Sequence, residues 1–159
     1  MRIKGSESSQ RGAAVLEATL TMLTLLMLLM AIFEAARLIN IQHTLTNAAR
    51  EGARLSVLPL QGGTDTLAPA ALVRSRVRSF LDASGMNGAS VPDGNIVVSQ
   101  ACCYDKVTDS CVTCASASTI RYSRVTVTVP YKLLSISMFK FMEVNIRGQA
   151  LMRNETNLQ

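Results

Sequence analysis

The chain has no tryptophan, a single histidine and few charged side chains, and each scarcity argues against a class of function. It has three Tyr and four Phe, and its net charge of +5 is not gathered into any run of Lys or Arg. Grooves that hold nucleic acid combine basic side chains with stacking aromatics, so we expect no nucleic-acid partner. His43 has no second histidine with which to form a relay. We therefore expect no catalytic site, no metal and no cofactor, and hence no enzyme.

Charge is scarcest in one stretch near the N-terminus. From Ala13 to Phe33 the only ionisable side chain is Glu17. As an α-helix this stretch would be roughly 31 Å long, close to the thickness of the apolar core of a bilayer. The sequence therefore predicts one transmembrane helix over residues 13–33. A cleaved secretory signal is the alternative, but the helical pattern continues beyond the apolar core and no clear cleavage site follows it.

The charges that flank this stretch predict its orientation only weakly. Arg2, Lys4 and Arg11 precede it, and Arg37 and Arg50 follow it. Positive charge favours the cytoplasmic side of a membrane, and clustered cysteines favour an oxidising compartment. We therefore expect a single-pass membrane protein with a cytoplasmic N-terminus and an extracytoplasmic C-terminal domain.

The helical pattern does not stop at the end of the predicted span. It continues over residues 34–58 as far as Pro59 and the turn sequence "QGG". Apolar or small residues recur there at steps of three and four, which places them on one face of a helix. The members of this helix stripe are Leu38, Ile41, Leu45, Ala48, Gly52 and Leu55. We expect the stripe to pack against the protein's own C-terminal domain rather than to be reserved for partners.

Residues 59–159 predict a small α+β domain. A second helix is expected over residues 70–84, stopped by Gly85, with three arginines on its solvated side. Beyond it the hydrophobic period changes to two, which predicts strands beginning near residue 95 and over residues 120–131 and 144–153. The last two are expected to pair antiparallel, with Gly148 as a possible bulge. The link at residues 132–143 is too apolar for an ordinary loop. We expect it to fill the core, and a patch that touches a membrane or a neighbour is the alternative.

Four cysteines, Cys102, Cys103, Cys111 and Cys114, lie in a turn-rich loop over residues 102–114. An even number clustered outside the membrane favours disulfides. Adjacent cysteines rarely bridge each other, so each of the first two is expected to reach one of the last two. A zinc site is the competing interpretation, although the adjacent pair lacks the usual ligand spacing. A redox-active C-x-x-C motif is a third, without the helix or βαβ context that it would need.

Glu17 is expensive inside a bilayer unless it has a partner. It follows Gly12 by five positions, at the start of the apolar helix, and this arrangement looks like the processing site of type IV prepilins. The wider stretch "RGAAVLEATLTMLTLLMLLMAIFEAARLINIQHTLTNAAREGAR" resembles TadE-like minor pseudopilins of the tight-adherence (Flp, type IVb) pilus system. The run "VTVTVPYKLLSISM…NIRGQALMRNE" resembles the ending of the same family, two strands around an apolar link.

The resemblance implies a pilin-like α+β fold with a long N-terminal transmembrane and stalk helix, a second helix and a small, mainly antiparallel sheet. It implies that residues 1–12 form a leader, removed after Gly12 by a prepilin peptidase. The new amine of Ala13 would then neutralise Glu17, within one chain or between neighbouring chains. The implied location is the inner (cytoplasmic) membrane, with the C-terminal domain in the periplasm. The implied partners are that peptidase, other pilins and pseudopilins, the pilus assembly platform and the lipid bilayer.

Two other functions compete with this one. The chain could be an unprocessed, signal-anchored extracytoplasmic domain with a structural or binding role, which would retain residues 1–12. It could also be a membrane-tethered thiol oxidoreductase that uses Cys111 and Cys114. Whether a pseudopilin of this kind enters the filament or stays in the membrane is left open by the sequence.

Overall fold

The computed structural model describes residues 6–58, 67–114, 120–132 and 143–154, with side chains from residue 12 onward. The described residues divide into two compact units, one over residues 6–38 and one over the described residues from 39 to 154. The helices are α1 (Ser6–Ser56) and α2 (Ala70–Ala83), and the strands are β1 (Ile96–Asp105), β2 (Ser110–Val112), β3 (Tyr122–Lys132) and β4 (Glu143–Arg153). This architecture confirms the predicted α+β class.

Helix α1 begins earlier than the sequence predicts. It starts at Ser6 rather than near residue 13, and it ends at Ser56, close to the expected end. Arg54 lies in its last turn, where a cation interacts favourably with the negative end of the helix dipole. The Leu58 amide donates to the Leu55 carbonyl at 3.2 Å and closes a final turn beyond the helix.

Helix α2 buries one stripe and ends at the predicted glycine. Val73, Val77 and Leu81 are its buried residues, at the spacing of one helical face. Gly85 has a φ of +79°, a conformation that glycine adopts without the steric cost of a Cβ. The Met86 amide donates to the Leu81 carbonyl at 2.9 Å and the Gly85 amide to the Asp82 carbonyl at 3.1 Å. These two bonds form a Schellman C-cap.

The arginines of α2 are not simply solvated, contrary to expectation. Arg74 donates to the Ile96 carbonyl at 3.2 Å, and Arg76 pairs with Glu51 of α1 at 2.8 Å. Arg78 pairs with Asp93 at 2.6 Å and also donates to the Val91 carbonyl. The arginines therefore tie α2 to α1 and to the segment before β1. Sequence patterns did not indicate these contacts, because each partner is distant along the chain.

The four strands form one antiparallel sheet in the order β2-β1-β3-β4. β3 and β4 pair without interruption from Tyr122–Arg153 to Lys132–Glu143, which confirms the predicted antiparallel pairing. Gly148 is therefore not a bulge. The register shifts instead in β1, between Ser99 and Cys102, where Ala101 has a φ of +52°. The expectation for the apolar link falls mostly on residues 133–142, which lie outside the described residues.

Gly148 allows α1 to approach the sheet closely. A Cβ built on this residue would lie 2.6 Å from both the Leu45 carbonyl oxygen and the Thr46 amide nitrogen. These contacts are tighter than real Cβ atoms show, and both atoms belong to the backbone of α1. The glycine is required here for helix-to-sheet packing rather than for an irregular strand.

The core of the second unit lies between this part of α1, α2 and one face of the sheet. Most of its members are Ala, Val or Ile, and Leu45 and Leu81 are the exceptions. The fully buried apolar side chains are Leu45, Ala48, Ala49, Ala53, Val73, Val77, Leu81, Ile96, Val125 and Val127.

Candidate functional site

The first candidate site is the apolar part of α1. Every described side chain from Gly12 to Phe33 is exposed, including a continuous series of Leu, Met, Ile and Phe. A helix that is apolar on all sides and uncovered by protein is typical of a membrane span. Within the described residues, α1 is the one helix long and apolar enough to cross a membrane.

Three threonine hydroxyls in this span donate hydrogen bonds to carbonyls of their own helix. Thr19 donates to the Val15 carbonyl, Thr21 donates to the Glu17 carbonyl at 3.0 Å, and Thr24 donates to the Thr21 carbonyl at 2.8 Å. Such bonds to the preceding turn remove the cost of placing a hydroxyl in hydrocarbon. The threonines therefore need no partner chain.

Glu17 differs from the threonines because an ionised carboxylate has no hydrogen to donate to a carbonyl of its own helix. It is exposed on α1, and it is absent from the ion pairs formed among the described side chains. Ala13 lies one helical turn before it, so the two residues share a face of the helix. Gly12 is also helical and exposed, and a Cβ there would meet no atom within 4 Å.

The second candidate site is the predicted helix stripe of α1. Leu45, Ala48 and Gly52 are buried, whereas Leu38, Ile41 and Leu55 are half-buried. The sequence reasoning missed three other fully buried residues of this helix, Ala49, Ala53 and Ser56. For Ala49 and Ala53 the signal was present in the motif "NAAREGAR", in which two adjacent small residues are followed one helical turn later by two more.

Gly52 shows what this small-residue face does. A Cβ at Gly52 would lie 2.6 Å from Val77 Cγ2 of α2 and 3.4 Å from side-chain atoms of both Val73 and Val125. Helix α2 and strand β3 therefore both approach α1 at this residue. The predicted packing of the stripe within the protein is what the structure shows for Leu45, Ala48 and Gly52.

The third candidate site is the cysteine segment, which is a β-hairpin rather than the expected loop. β1 and β2 pair through Cys103–Val112, Tyr104–Cys111 and Asp105–Ser110. Disulfides join Cys102 to Cys111 and Cys103 to Cys114, with Cα atoms 5.3 and 5.1 Å apart. Each of the adjacent cysteines thus reaches one of the later pair, as predicted. With all four thiols paired, the hairpin is cross-linked at two positions.

An arginine holds this hairpin against the sheet, and sequence reasoning missed it. Arg124 of β3 is nearly buried and donates to the backbone carbonyl of Asp109 in the hairpin turn. It also donates to Asp109 Oδ2 at 3.2 Å and to Gln149 Oε1 of β4 at 2.6 Å. Bonds to a charged donor are stronger than neutral ones. Arg124 therefore joins the turn, the central strand and the edge strand.

Two further contacts order the same hairpin. The Tyr104 hydroxyl donates to Asp109 Oδ1 at 2.9 Å, and this bond holds the pKa of Asp109 below its usual range and raises the pKa of Tyr104. Asp105 accepts the Val107 amide at 2.9 Å, which is the main cause of the lowered pKa of Asp105. The Tyr104 ring meets that of Tyr122 edge-on at 6.2 Å.

The lone histidine and the candidate metal ligands can be placed within the described residues. His43 is exposed on α1. Within the described ranges, no three His, Cys, Asp or Glu side chains converge as metal ligands would. In the polar network around Arg124, Asp109 accepts from both Tyr104 and Arg124, and Gln149 accepts from Arg124.

Comparison with known protein families gives one match. The model of the family described as TadE-like protein matches residues 12–54, which begins at Gly12 and includes Glu17, the span and the small-residue face of α1. This match confirms the resemblance predicted from the sequence over those residues. Comparisons with curated proteins and with solved structures find no match to the chain.

Proposed function

From the TadE-like match at residues 12–54, we propose that this chain is a membrane-anchored minor pseudopilin that supports the assembly of Tad (Flp, type IVb) adhesive pili. A prepilin peptidase removes the leader after Gly12. The chain stays in the inner membrane with its C-terminal domain in the periplasm, and it contacts other pilins and the assembly platform. It acts by helix packing and performs no catalysis.

The observation that carries this proposal is the coincidence of the match with the exposed apolar helix. The matched segment starts at Gly12, and every described side chain from there to Phe33 is uncovered. The bilayer covers this surface before assembly. Neighbouring pilin helices can replace the lipid afterwards, because both surroundings are apolar.

Glu17 has the role of setting the register between helices. Cleavage after Gly12 creates an ammonium group at Ala13, one turn from the carboxylate on the same helix face. Either this amine or that of a neighbouring subunit neutralises Glu17. A carboxylate within hydrocarbon penalises every arrangement that leaves it unpaired, so the pair selects one axial offset among many apolar packings.

The second half of the matched segment serves the chain itself. Ala48, Ala49, Gly52 and Ala53 bring α2 and the sheet against α1. This packing joins α2 and the sheet to residues 45–53 of α1. The two disulfides and the Arg124 network stabilise the β1–β2 hairpin, which contains the shortest strand of the sheet.

A substitution at Glu17 tests this function. In a strain that lacks the chain, we expect the wild-type protein to restore surface pili and Glu17→Gln to reduce their number at least about tenfold. Glutamine keeps the size of the side chain but removes the charge that pairs with the amine, and a tenfold loss corresponds to about 1.4 kcal/mol. Pili are counted by electron microscopy, at matched levels of the subunit in membranes.

Thr21→Val is the control, because it lies on the same helix face and also removes a polar group. Its hydroxyl serves only its own helix, so we expect normal pili. Full piliation by the Glu17→Gln variant would contradict the role of Glu17. Full piliation of the strain without the chain would contradict the proposed function.

A further inference from the structure

The tip of the β1–β2 hairpin, residues 105–109, presents one apolar side chain on an ordered turn. Val107 is 92% exposed. The Asp105 carboxylate accepts the Val107 amide at 2.9 Å and the Thr108 hydroxyl at 2.8 Å. Two disulfides cross-link the hairpin behind the tip, and Arg124 holds the turn against the sheet. A side chain that is held in place before binding loses little conformational freedom when a partner covers it.

A groove with leucine side chains lies between α1 and α2 in the same unit of the fold. Leu55, Leu58 and Leu72 line it, and the side chains of Leu58 and Leu72 are 50% and 42% exposed. The groove has a volume of about 510 Å³, which leaves room for a turn around one inserted side chain. Large apolar side chains that are gathered in a concave, exposed site indicate a binding surface. We call this site the leucine groove.

The hairpin tip and the leucine groove lie on opposite faces of this unit and at the same level. Val125 faces α1, because a Cβ at Gly52 would lie 3.4 Å from its side chain. Side chains alternate along a strand, so Arg124 points to the other face of the sheet, where it contacts Asp109 of the tip. Gly52 is within one helical turn of Leu55 in the groove. The tip therefore cannot reach the groove of its own chain, whereas a copy displaced sideways can offer its groove to the tip.

We propose that the hairpin tip of one copy of this chain docks in the leucine groove of a second copy, with Val107 against the partner's Leu58 and Leu72. A sideways displacement without rotation keeps the α1 segments of the two copies parallel, which suits chains that enter one membrane in the same direction. Tip and groove are different surfaces, so each added copy leaves one tip and one groove open. Such head-to-tail contacts continue beyond a dimer, into a ring or a row of copies.

The charges around the groove agree with this occupant. Glu51 and Arg54 line the groove one helical turn apart. Arg54 is exposed and belongs to none of the ion pairs formed among the described side chains. The tip carries an anion and a cation side by side, Asp105 and Lys106. Asp105 can therefore pair with the partner's Arg54 while Lys106 pairs with the partner's Glu51. Because this inference follows from the tip and the groove, it does not depend on the proposed function.

Introduced cysteines test the contact in the full chain, purified in detergent micelles. Val107→Cys and Leu58→Cys replace exposed side chains, and a short bismaleimide joins free thiols without opening the native disulfides. We expect a mixture of the two single variants to give a covalent dimer under denaturing electrophoresis, and the double variant to give dimers and larger species. Each single variant alone should stay monomeric. A mixture of Leu58→Cys with Val144→Cys, which is exposed on β4, is the control and should give no dimer.

Charge reversal gives an independent test by sedimentation equilibrium. We expect Lys106→Glu to raise the dissociation constant of the contact about tenfold, and Lys106→Glu/Glu51→Lys to restore it. Glu143→Lys, a reversal at the exposed far end of β4, should leave it unchanged. A monomer at every concentration, cross-linking of the mixed variants no greater than in the control mixture, or failure of the double reversal to restore association would overturn the proposal. Near-UV circular dichroism of each variant verifies that the domain stays folded.

Discussion

Replacing Gly148 with alanine is expected to lower the free energy of unfolding by about 2 kcal/mol or more. The added methyl group would lie 2.6 Å from the Leu45 carbonyl oxygen and the Thr46 amide nitrogen. Backbone atoms in the middle of a helix cannot rotate away as a side chain does, so α1 must separate from the sheet. Overpacking of this kind typically costs about 1–3 kcal/mol. Urea unfolding of the full chain in micelles, followed by near-UV circular dichroism of the tyrosines, measures the change.

Gly94→Ala is the matched control for this substitution. A Cβ at Gly94 meets no atom within 4 Å, so we expect its free energy of unfolding to stay within about 0.5 kcal/mol of the wild-type value. Equal stability of the Gly148→Ala and Gly94→Ala variants would show that α1 does not lie against β4 at this residue.

Removing either disulfide is expected to cost about 2–3 kcal/mol of stability. The bridges span nine and eleven positions along the chain, and loops of this size give such values in the chain-entropy treatment. The Cys102→Ala/Cys111→Ala variant should lose more than Cys103→Ala/Cys114→Ala, because Cys102 is buried in the sheet and its removal also leaves a cavity. The same unfolding measurement compares the two variants.

Removing both disulfides should cost less than the sum of the two separate losses. Each bridge closes nearly the same hairpin, so much of the unfolded-state entropy is released by the first removal. A loss equal to the sum would indicate that the two bridges constrain independent segments. No loss from either removal would contradict a stabilising role for the disulfides, and reductant would then leave stability unchanged as well.

The helix stripe illustrates what hydrophobic spacing can predict. Steps of three and four identified Leu45, Ala48 and Gly52 as one face of α1, and that face is buried. Ala49, Ala53 and Ser56 were missed because the periodicity was traced along a single row of residues. The buried face is wider than that row, since α2 and the sheet both contact it.

Gly148 and Arg124 illustrate what sequence patterns cannot predict. A glycine within a strand indicates either a bulge or a close approach by another backbone, and only the tertiary neighbours decide between them. In the sequence, Arg124 is a polar residue within the predicted strand, directly before its alternating valines. Its role depends on the β1–β2 hairpin placing Asp109 within its reach. Both cases depend on residues that are distant in sequence.

Gly12 and Glu17 gain their proposed roles from the family match rather than from the fold. In the structure they are exposed residues of a continuous helix that begins at Ser6. Within hydrocarbon, Glu17 needs a partner. The proposed cleavage after Gly12 would supply a cation on the same helix face.

The most direct measurement is the intact mass of the protein isolated from membranes, with and without the prepilin peptidase. We expect the chain to begin at Ala13 when the peptidase is present and at Met1 when it is absent. A chain that begins at Met1 in both cases would contradict processing and remove the amine proposed to pair with Glu17. It would favour an unprocessed, signal-anchored domain instead.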